Sequence, residues 1–465
     1  MTTAALRSPD YLDYANAVDE LRESYAAIPP GEPVRLAKRT SNLFRPRNPT
    51  TAPGLDVSAF SGVLDVDVER RTADVLGMTT YEDLVAATLA HGLVPLCVPQ
   101  LRTITLGGAV TGLGIESGSW RNGSPHESVL DMDILTGDGR VLTVSPTNGH
   151  RDLFFGFPNS YGSLGYALRL RIELEPVTPY VRLRHIPCGD ATALAETIEA
   201  VVRNGAYDGE PFDYVDGTVF SRTESYLTLA SYSSTADEPP SDYTGEQIYY
   251  RSIQQRRTDV LTVHDYLWRW DTDWFWCSRA FGAQNPVVRR FWPKDRLRSD
   301  VYWRLVALDR RTGLSSKLNT VRRRPQREPV VQDIEVPVER LAEFLDFFHR
   351  EVGIEPVWVC PLRGRAPSVT WPLYELDPAT TYVNVGFWST VPVPPGVDPG
   401  AGRVNRRIEQ VVTELGGRKS LYSTAFYDRD EFARLYGGAT YEVLRSTYDR
   451  QGRLPDMWTK TVARG

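Results

Sequence analysis

LGGAVTGLGIESGSWRNG, residues Leu106–Gly123, decides the reading of this chain. It is not a dinucleotide fingerprint, because Gly112 and Gly114 are followed at the third position by Ser117 and no βαβ spacing surrounds them. Nor is it a Walker loop, since Gly-Lys-Ser/Thr is absent. A segment this dense in glycine still brings many backbone N–H groups close to a diphosphate. The candidate contacts are Thr105, Gly107, Gly108, Thr111, Gly112, Gly114, Ile115, Glu116, Ser117 and Gly123. A surface loop of tight turns is the competing reading, and composition alone leaves the two even. Glu116 reads as a residue that ties down the loop as readily as one that acts on a substrate.

The flanks change that weighting. Upstream, Leu12, Ala15, Val18, Leu21 and Tyr25 form one face of a helix over Tyr11–Ile28, which Pro29-Pro30-Gly31 ends. Short strands are predicted over Val34–Ala37, Gly62–Val68 and Thr72–Gly77, and RLAKRTSNLF (Arg35–Phe44) runs from a strand into a polar turn at Thr40-Ser41-Asn42. Thr79 or Thr80 caps a helix with Glu82 and Asp83 in its first turn. Downstream, DMDILTGDGRVLTVSP (Asp131–Pro146) is a hairpin turning at Gly137–Gly139. DLFFGFPNSYGSLGYALRLRIELEP (Asp152–Pro176) then sets a second glycine loop, with Gly162 and Gly165, before a strand. The Glu-Pro-Val-Thr-Pro run marks a domain boundary near residues 176–179.

These four ordered motifs resemble flavoproteins of the vanillyl-alcohol-oxidase type, with the PCMH fold. The resemblance implies an α+β chain with a two-subdomain FAD-binding domain over residues 1–178. A substrate domain over 179–428 and a helical tail over 429–465, packing back on the first domain, would follow. It also implies that the 40–42 turn and the glycine segments wrap the FAD pyrophosphate. Neither that turn nor the second loop contains a His or Cys for covalent attachment, so FAD is expected to be dissociable. GGAVTGLGIESGSWRNG, VVQDIEVPVERL (Val330–Leu341), PVWVCPL (Pro356–Leu362) and LYSTAFYDRDEF (Leu421–Phe432) are similar to delta-24 sterol reductases. The Arg/Ala-rich chain without an anchoring helix looks more like the actinobacterial branch. That branch includes FAD-dependent reductases of 10-methylene fatty acyl chains, which form tuberculostearate-type lipids beside a methyltransferase. NADPH is the implied reductant, although no motif for it is visible. Reducing an alkene takes a hydride on one carbon and a proton on the other. By resemblance, Tyr422, Tyr427, Gln332 and Asp333 fall on segments near the flavin face, with a structural hydrogen bond as the alternative role for each.

Composition excludes several other classes. The chain has 465 residues, a net charge of −6 and four scattered cysteines, so a disulfide scaffold, a zinc site and charge-driven nucleic-acid binding are not expected. No metal is assigned. No apolar run is long enough to span a bilayer and no signal peptide is visible, which gives a cytoplasmic expectation with peripheral contact on the inner membrane face. Residues 266–294 hold eight Trp and Phe side chains. They read either as core packing with cation–π contacts or as an apolar cavity or membrane-facing lip. From Arg279 to Arg327 fourteen Lys/Arg meet three Asp/Glu, which suits either a solvated surface or anionic head groups. The competing function classes are an oxidase or dehydrogenase of a sugar lactone or alditol, a delta-24-like sterol reductase, and a lipid-binding protein without catalysis. A helix over Val338–Val352 and strands over Tyr382–Trp388 and Leu421–Phe426 complete the predicted elements.

Overall fold

The computed structural model describes residues 9–38, 44–45, 54–245, 247–312 and 325–462. The N-terminal domain is built on an antiparallel sheet of β1 (Val63–Asp67), β2 (Thr72–Leu76), β3 (Leu93–Pro95), β4 (Val129–Thr136), β5 (Val141–Val144) and β6 (Gly165–Pro176). The strand order is β1-β2-β6-β4-β5, with β3 on the far end of β6. The predicted hairpin is β4–β5, in which Met132 faces Val144 and Gly139 takes the left-handed conformation (φ +80°) that the turn requires. Across the sheet Arg169 of β6 pairs with Asp74 of β2 and with Asp131 and Asp133 of β4.

The first helix spans Tyr11–Ala26 behind an Asp10–Asp13 capping box. Its inward face is Ala17, Val18, Leu21 and Tyr25, and Leu12 is 68% exposed rather than buried. Tyrosine hydroxyls anchor the first turn instead: Tyr11 donates to Asp74 and Tyr14 to Asp133. The predicted strand at Val34–Ala37 is reduced to one parallel bridge, Leu36 to Leu55.

Only residues 177–179 separate β6 from β7 (Tyr180–Pro187), where the chain enters the second domain. After the hairpin of β8 (Ala206–Tyr207) and β9 (Glu210–Pro211) come β10 (Tyr214–Ser221), β11 (Glu224–Ser233), β12 (Thr258–Thr262) and β13 (Arg327–Pro337). β14 (Val357–Leu362), β15 (Tyr382–Pro392) and β16 (Arg418–Lys419) finish the strands. An eight-stranded antiparallel sheet results, in the order β12-β7-β11-β10-β14-β15-β13-β16. Helices Ala191–Asn204, Leu341–Glu351 and Arg403–Glu414 cover one face, burying Ile198, Phe344, Leu345 and Ile408 against Val330, Ile334 and Val336. The other face looks toward the N-terminal domain and shares its hydrophobic core.

Two predicted elements differ. The helix expected from Val338 opens as a single 3₁₀ turn and is α-helical only over Leu341–Glu351. The strand expected over Leu421–Phe426 is an irregular segment in which only Ser423 forms a bridge, with Phe44. Trp268, Trp270, Trp274 and Trp276 are buried, with Arg102 over the Trp268 ring at 5.1 Å, so for these four the core-packing reading holds. In the tail, Tyr448 donates to Asp152 and the Arg453 guanidinium donates to the carbonyls of Ile28 and Glu32, which returns the chain to the first domain.

Candidate functional site

Glycine fixes the first loop by allowing backbones to touch. Leu106–Thr111 is a short helix capped by the Thr105 hydroxyl, which accepts from Gly108 N at 3.2 Å. Gly107 N donates to Gly77 O at 2.9 Å, and a Cβ on Gly107 would stand 2.7 Å from that same oxygen. Gly114 passes between Pro99 and Pro125, where a Cβ would meet ring carbons at 3.2 and 2.8 Å. Beyond it Glu116 bends back, accepting from Gly118 N at 2.5 Å and from the Ser117 hydroxyl at 2.9 Å. Burial pushes its carboxyl up to about 7, against the pull of the Arg269 guanidinium. Glu116 therefore braces the loop. Gly123, at φ +69°, closes the segment.

The second loop is seated on the first. Asn159 N donates to Val110 O at 3.3 Å and Tyr161 N to Thr111 O at 2.7 Å. Asn159, Tyr161, Gly162 and Gly165 all have positive φ, and for the first two, which carry side chains, that conformation is strained. Both polar atoms of the Asn159 amide and the Ser160 hydroxyl are buried with no hydrogen-bond partner among the described residues. Buried polar groups are ordinarily paired, so a strained loop with three orphaned atoms beside a glycine-rich helix fits a polar ligand such as the diphosphate of FAD. Tyr161 OH accepts from Leu421 N at 2.8 Å, and Arg45 donates to Leu421 O at 2.7 Å, so the second loop and Arg45 both reach the segment before Tyr422. Thr40, Ser41 and Asn42 lie outside the described residues.

Strand periodicity sorts the proposed acid groups. On β13, Val330, Ile334 and Val336 turn to the covering helices, and Gln332 goes with them. Its Nε2 donates to Asn405 Oδ1 at 2.7 Å, in a chain that continues to Glu328. Gln332 thus lies on the helix-covered face, away from the face turned to the N-terminal domain. Asp333 and Glu335 take the opposite face. The Tyr422 phenol sits within reach of the Asp333 carboxyl and accepts from Trp388 Nε1 at 3.0 Å. Burial raises Asp333 to about 6 and holds the Tyr422 phenol, next to Asp333, well above its usual range. Gly386, opposite Asp333 in the neighbouring strand, leaves room for both partners: a Cβ there would lie 2.4 Å from Asp333 Oδ1 and 2.7 Å from the Trp388 ring. Tyr427 is not part of this group. It is buried against Tyr436, with ring centroids 5.7 Å apart, and its carbonyl accepts from Trp458.

Glu335, two residues along β13, is the acid that motif reading passed over. Burial lifts its pKa well above the usual range, and it accepts a hydrogen bond from Tyr374. Tyr374 lines a cavity of about 40 Å³ with Leu113 of the glycine segment, His126 and Trp371. The two-residue repeat of a strand was the signal for Glu335, whereas the contribution of Trp388, Tyr161 and Arg45 depends on chain crossings that no motif marks.

Phe44, Trp303, Trp388 and Tyr422 are each partly exposed, so the Asp333–Tyr422 pair lies beside an aromatic mouth. Phe275 stacks on Trp388 at 4.3 Å, and Phe44 lies 5.5 Å from Trp274 and 5.7 Å from both Trp303 and Tyr422. Beneath it a buried lock joins the two domains. Asp216 accepts from Arg269 at 3.0 Å, from Trp270 Nε1 at 2.9 Å and from Trp358 Nε1 at 3.1 Å. Tyr266, under the Arg269 guanidinium, hydrogen-bonds Ser117 of the glycine segment. Among the described residues no cluster of His, Cys, Asp and Glu could hold a metal.

The site agrees with what the chain is similar to. The FAD binding domain family matches residues 9–145. A Delta(24)-sterol reductase homolog of Caenorhabditis elegans is 26% identical over 431 residues, covering 87% of this chain and 78% of that protein. The human Delta(24)-sterol reductase is 24% identical over 416 residues, covering 86% and 75%. Cytokinin dehydrogenase 10 of Oryza sativa is 32% identical, but over 183 residues that cover 37% of this chain and 33% of that protein. The similarity to the reductases runs through both domains.

Proposed function

We propose, for a chain that is an FAD-dependent oxidoreductase of the PCMH-type fold acting on a lipid carbon–carbon double bond, that the substrate is a 10-methylene fatty acyl chain and the product its 10-methyl form. The observation that carries this reading is the Trp388–Tyr422–Asp333 chain, set at an aromatic mouth beside the two glycine loops. Thr105 to Ser117 and the 159–165 loop would hold FAD, which when bound supplies the hydride, with NADPH as the source of electrons. The protein supplies the proton. Tyr422 stays neutral in its apolar setting and can present its O–H to the second alkene carbon, while protonated Asp333 restores that proton and the Trp388 N–H holds the phenol oxygen in line. The aromatic walls exclude water and suit an acyl chain better than a polyol. A methyltransferase that installs the methylene group would supply the substrate.

Anaerobic stopped-flow absorbance tests the reading. The FAD-loaded protein should bleach with NADPH and regain its yellow colour on adding a 10-methylene acyl phospholipid. Reoxidation by a Δ24-unsaturated sterol instead would move the substrate to the sterol class. Bleaching by a lactone or polyol, and not by NADPH, would sink the reductase reading. The Gly386→Ala variant gives a second check. Its methyl group intrudes on Asp333 and Trp388, so bleaching by NADPH should persist while lipid-driven reoxidation slows about tenfold or more.

A further inference from the structure

Trp268, Trp270, Trp274 and Trp276 of the aromatic segment are buried, yet its C-terminal flank is not. Five of the ten exposed large hydrophobic side chains among the described residues fall in one stretch: Val287, Val288, Phe291, Leu305 and Leu308. Phe291 is 81% exposed and Val287 67%. The short helix Pro286–Phe291 is held in this pose by Arg289, which turns inward to pair with Asp273 and to donate to the carbonyls of Gly245 and Gln247. Helix Ser299–Thr312 is locked beside it, because Tyr302 stacks on Phe281 at 5.4 Å and meets Trp292 at 6.3 Å. Arg290, Lys294 and Arg296 stand exposed around the apolar tip, with Asp295 as the one acid among them.

We infer that this face docks on the surface of an anionic lipid bilayer. Phe291, Val287 and Val288 would enter the boundary between head groups and acyl chains, and the three cations would meet anionic head groups. A second copy of the chain is a poorer occupant, since a two-fold contact would set Arg290, Lys294 and Arg296 of one protomer against the same cations of its partner. Helix Ser299–Thr312, packed beside this face through Tyr302, carries the exposed Leu305 and Leu308 and also Trp303, which packs on Phe44 at the aromatic mouth. Docking would therefore set the mouth beside the membrane. The inference stands on the exposed face and does not depend on which lipid is reduced.

Flotation of the purified FAD-loaded protein with vesicles tests it. Vesicles of equal parts phosphatidylglycerol and phosphatidylcholine should carry the protein at low salt, with binding lost as salt is raised, and pure phosphatidylcholine should carry far less. Phe291→Asp, Val287→Asp and the Arg290→Glu/Lys294→Glu pair should each weaken binding about tenfold or more. Their flavin absorbance and melting temperature should match the wild type. Equal flotation on the two vesicle types, or a Phe291→Asp protein that floats as well as the wild type, would overturn the inference. So would a wild-type dimer, seen by light scattering, that Phe291→Asp converts to a monomer, because the face would then belong to a second copy.

Discussion

Asp333→Asn is expected to slow lipid reduction about a hundredfold while making the protein more stable above pH 6. The two effects share one cause. Burial raises the Asp333 carboxyl to about 6, so near that pH it can hold the proton that passes to Tyr422. General acid groups of this kind contribute roughly 10²–10⁴-fold, and asparagine can keep the hydrogen bonds but cannot deliver a proton. The wild-type rate of lipid-driven reoxidation should fall as pH rises through about 6, and the variant should lose that dependence. The sign for stability runs the other way from that of a salt-bridged carboxylate. The folded protein holds a proton that the unfolded chain has already lost between pH 3.8 and about 6, so folding is progressively disfavoured as pH rises across that window. At one pKa unit per 1.36 kcal/mol, the full penalty above pH 6 is about 3 kcal/mol. Asparagine carries no such penalty. Denaturant midpoints of wild type and Asp333→Asn should coincide near pH 4 and separate by pH 8, with the variant higher. A variant that keeps wild-type reoxidation, or whose stability advantage does not grow with pH, would remove Asp333 from the proton path.

How much of this site was legible in the sequence depends on the kind of constraint. The glycine segments were readable because Gly77, Gly107 and Gly114 each admit a backbone or proline ring that a Cβ would strike, and such demands leave glycine at fixed positions. The β4–β5 hairpin was readable from its Gly-Asp-Gly turn. The acid groups were only half readable. Choosing Gln332 beside Asp333 ignored strand alternation, which sends adjacent residues to opposite faces and makes Glu335 the natural companion. Tyr422 and Tyr427 share one motif, but the chain between them is irregular, so no period decides which one faces Asp333. The aromatic segment left core packing and an exposed lip even, because the partners that bury Trp270, Asp216 far away in sequence and Arg269 beside it, are silent in a composition count.

Those partners set the second large effect. Arg269→Met should cost about 3–5 kcal/mol, a large part of the 5–15 kcal/mol that holds a typical protein folded. Arg269 and Asp216 are both almost wholly buried, and the guanidinium also lies 3.9 Å over the Tyr266 ring. Methionine fills much of the volume but leaves the Asp216 carboxylate facing two indole N–H groups with no cation. A buried charge left without its partner is far more costly than the intact pair is stabilising. The damage should extend to the cofactor, because Arg269 also opposes the rise of Glu116, the residue that braces the first glycine loop. Without that guanidinium Glu116 should protonate at a higher pH, and the protein should retain FAD less well on gel filtration. Neutralising the stranded carboxylate should recover much of the loss, so Arg269→Met/Asp216→Asn is expected to unfold at a higher denaturant midpoint than Arg269→Met alone. Arg203→Met provides the scale: its pair with Glu199 is on the surface, where such contacts contribute about 0–1 kcal/mol. An Arg269→Met protein no less stable than Arg203→Met would mean that aromatic packing alone joins the two domains, and that the buried ion pair adds nothing to it.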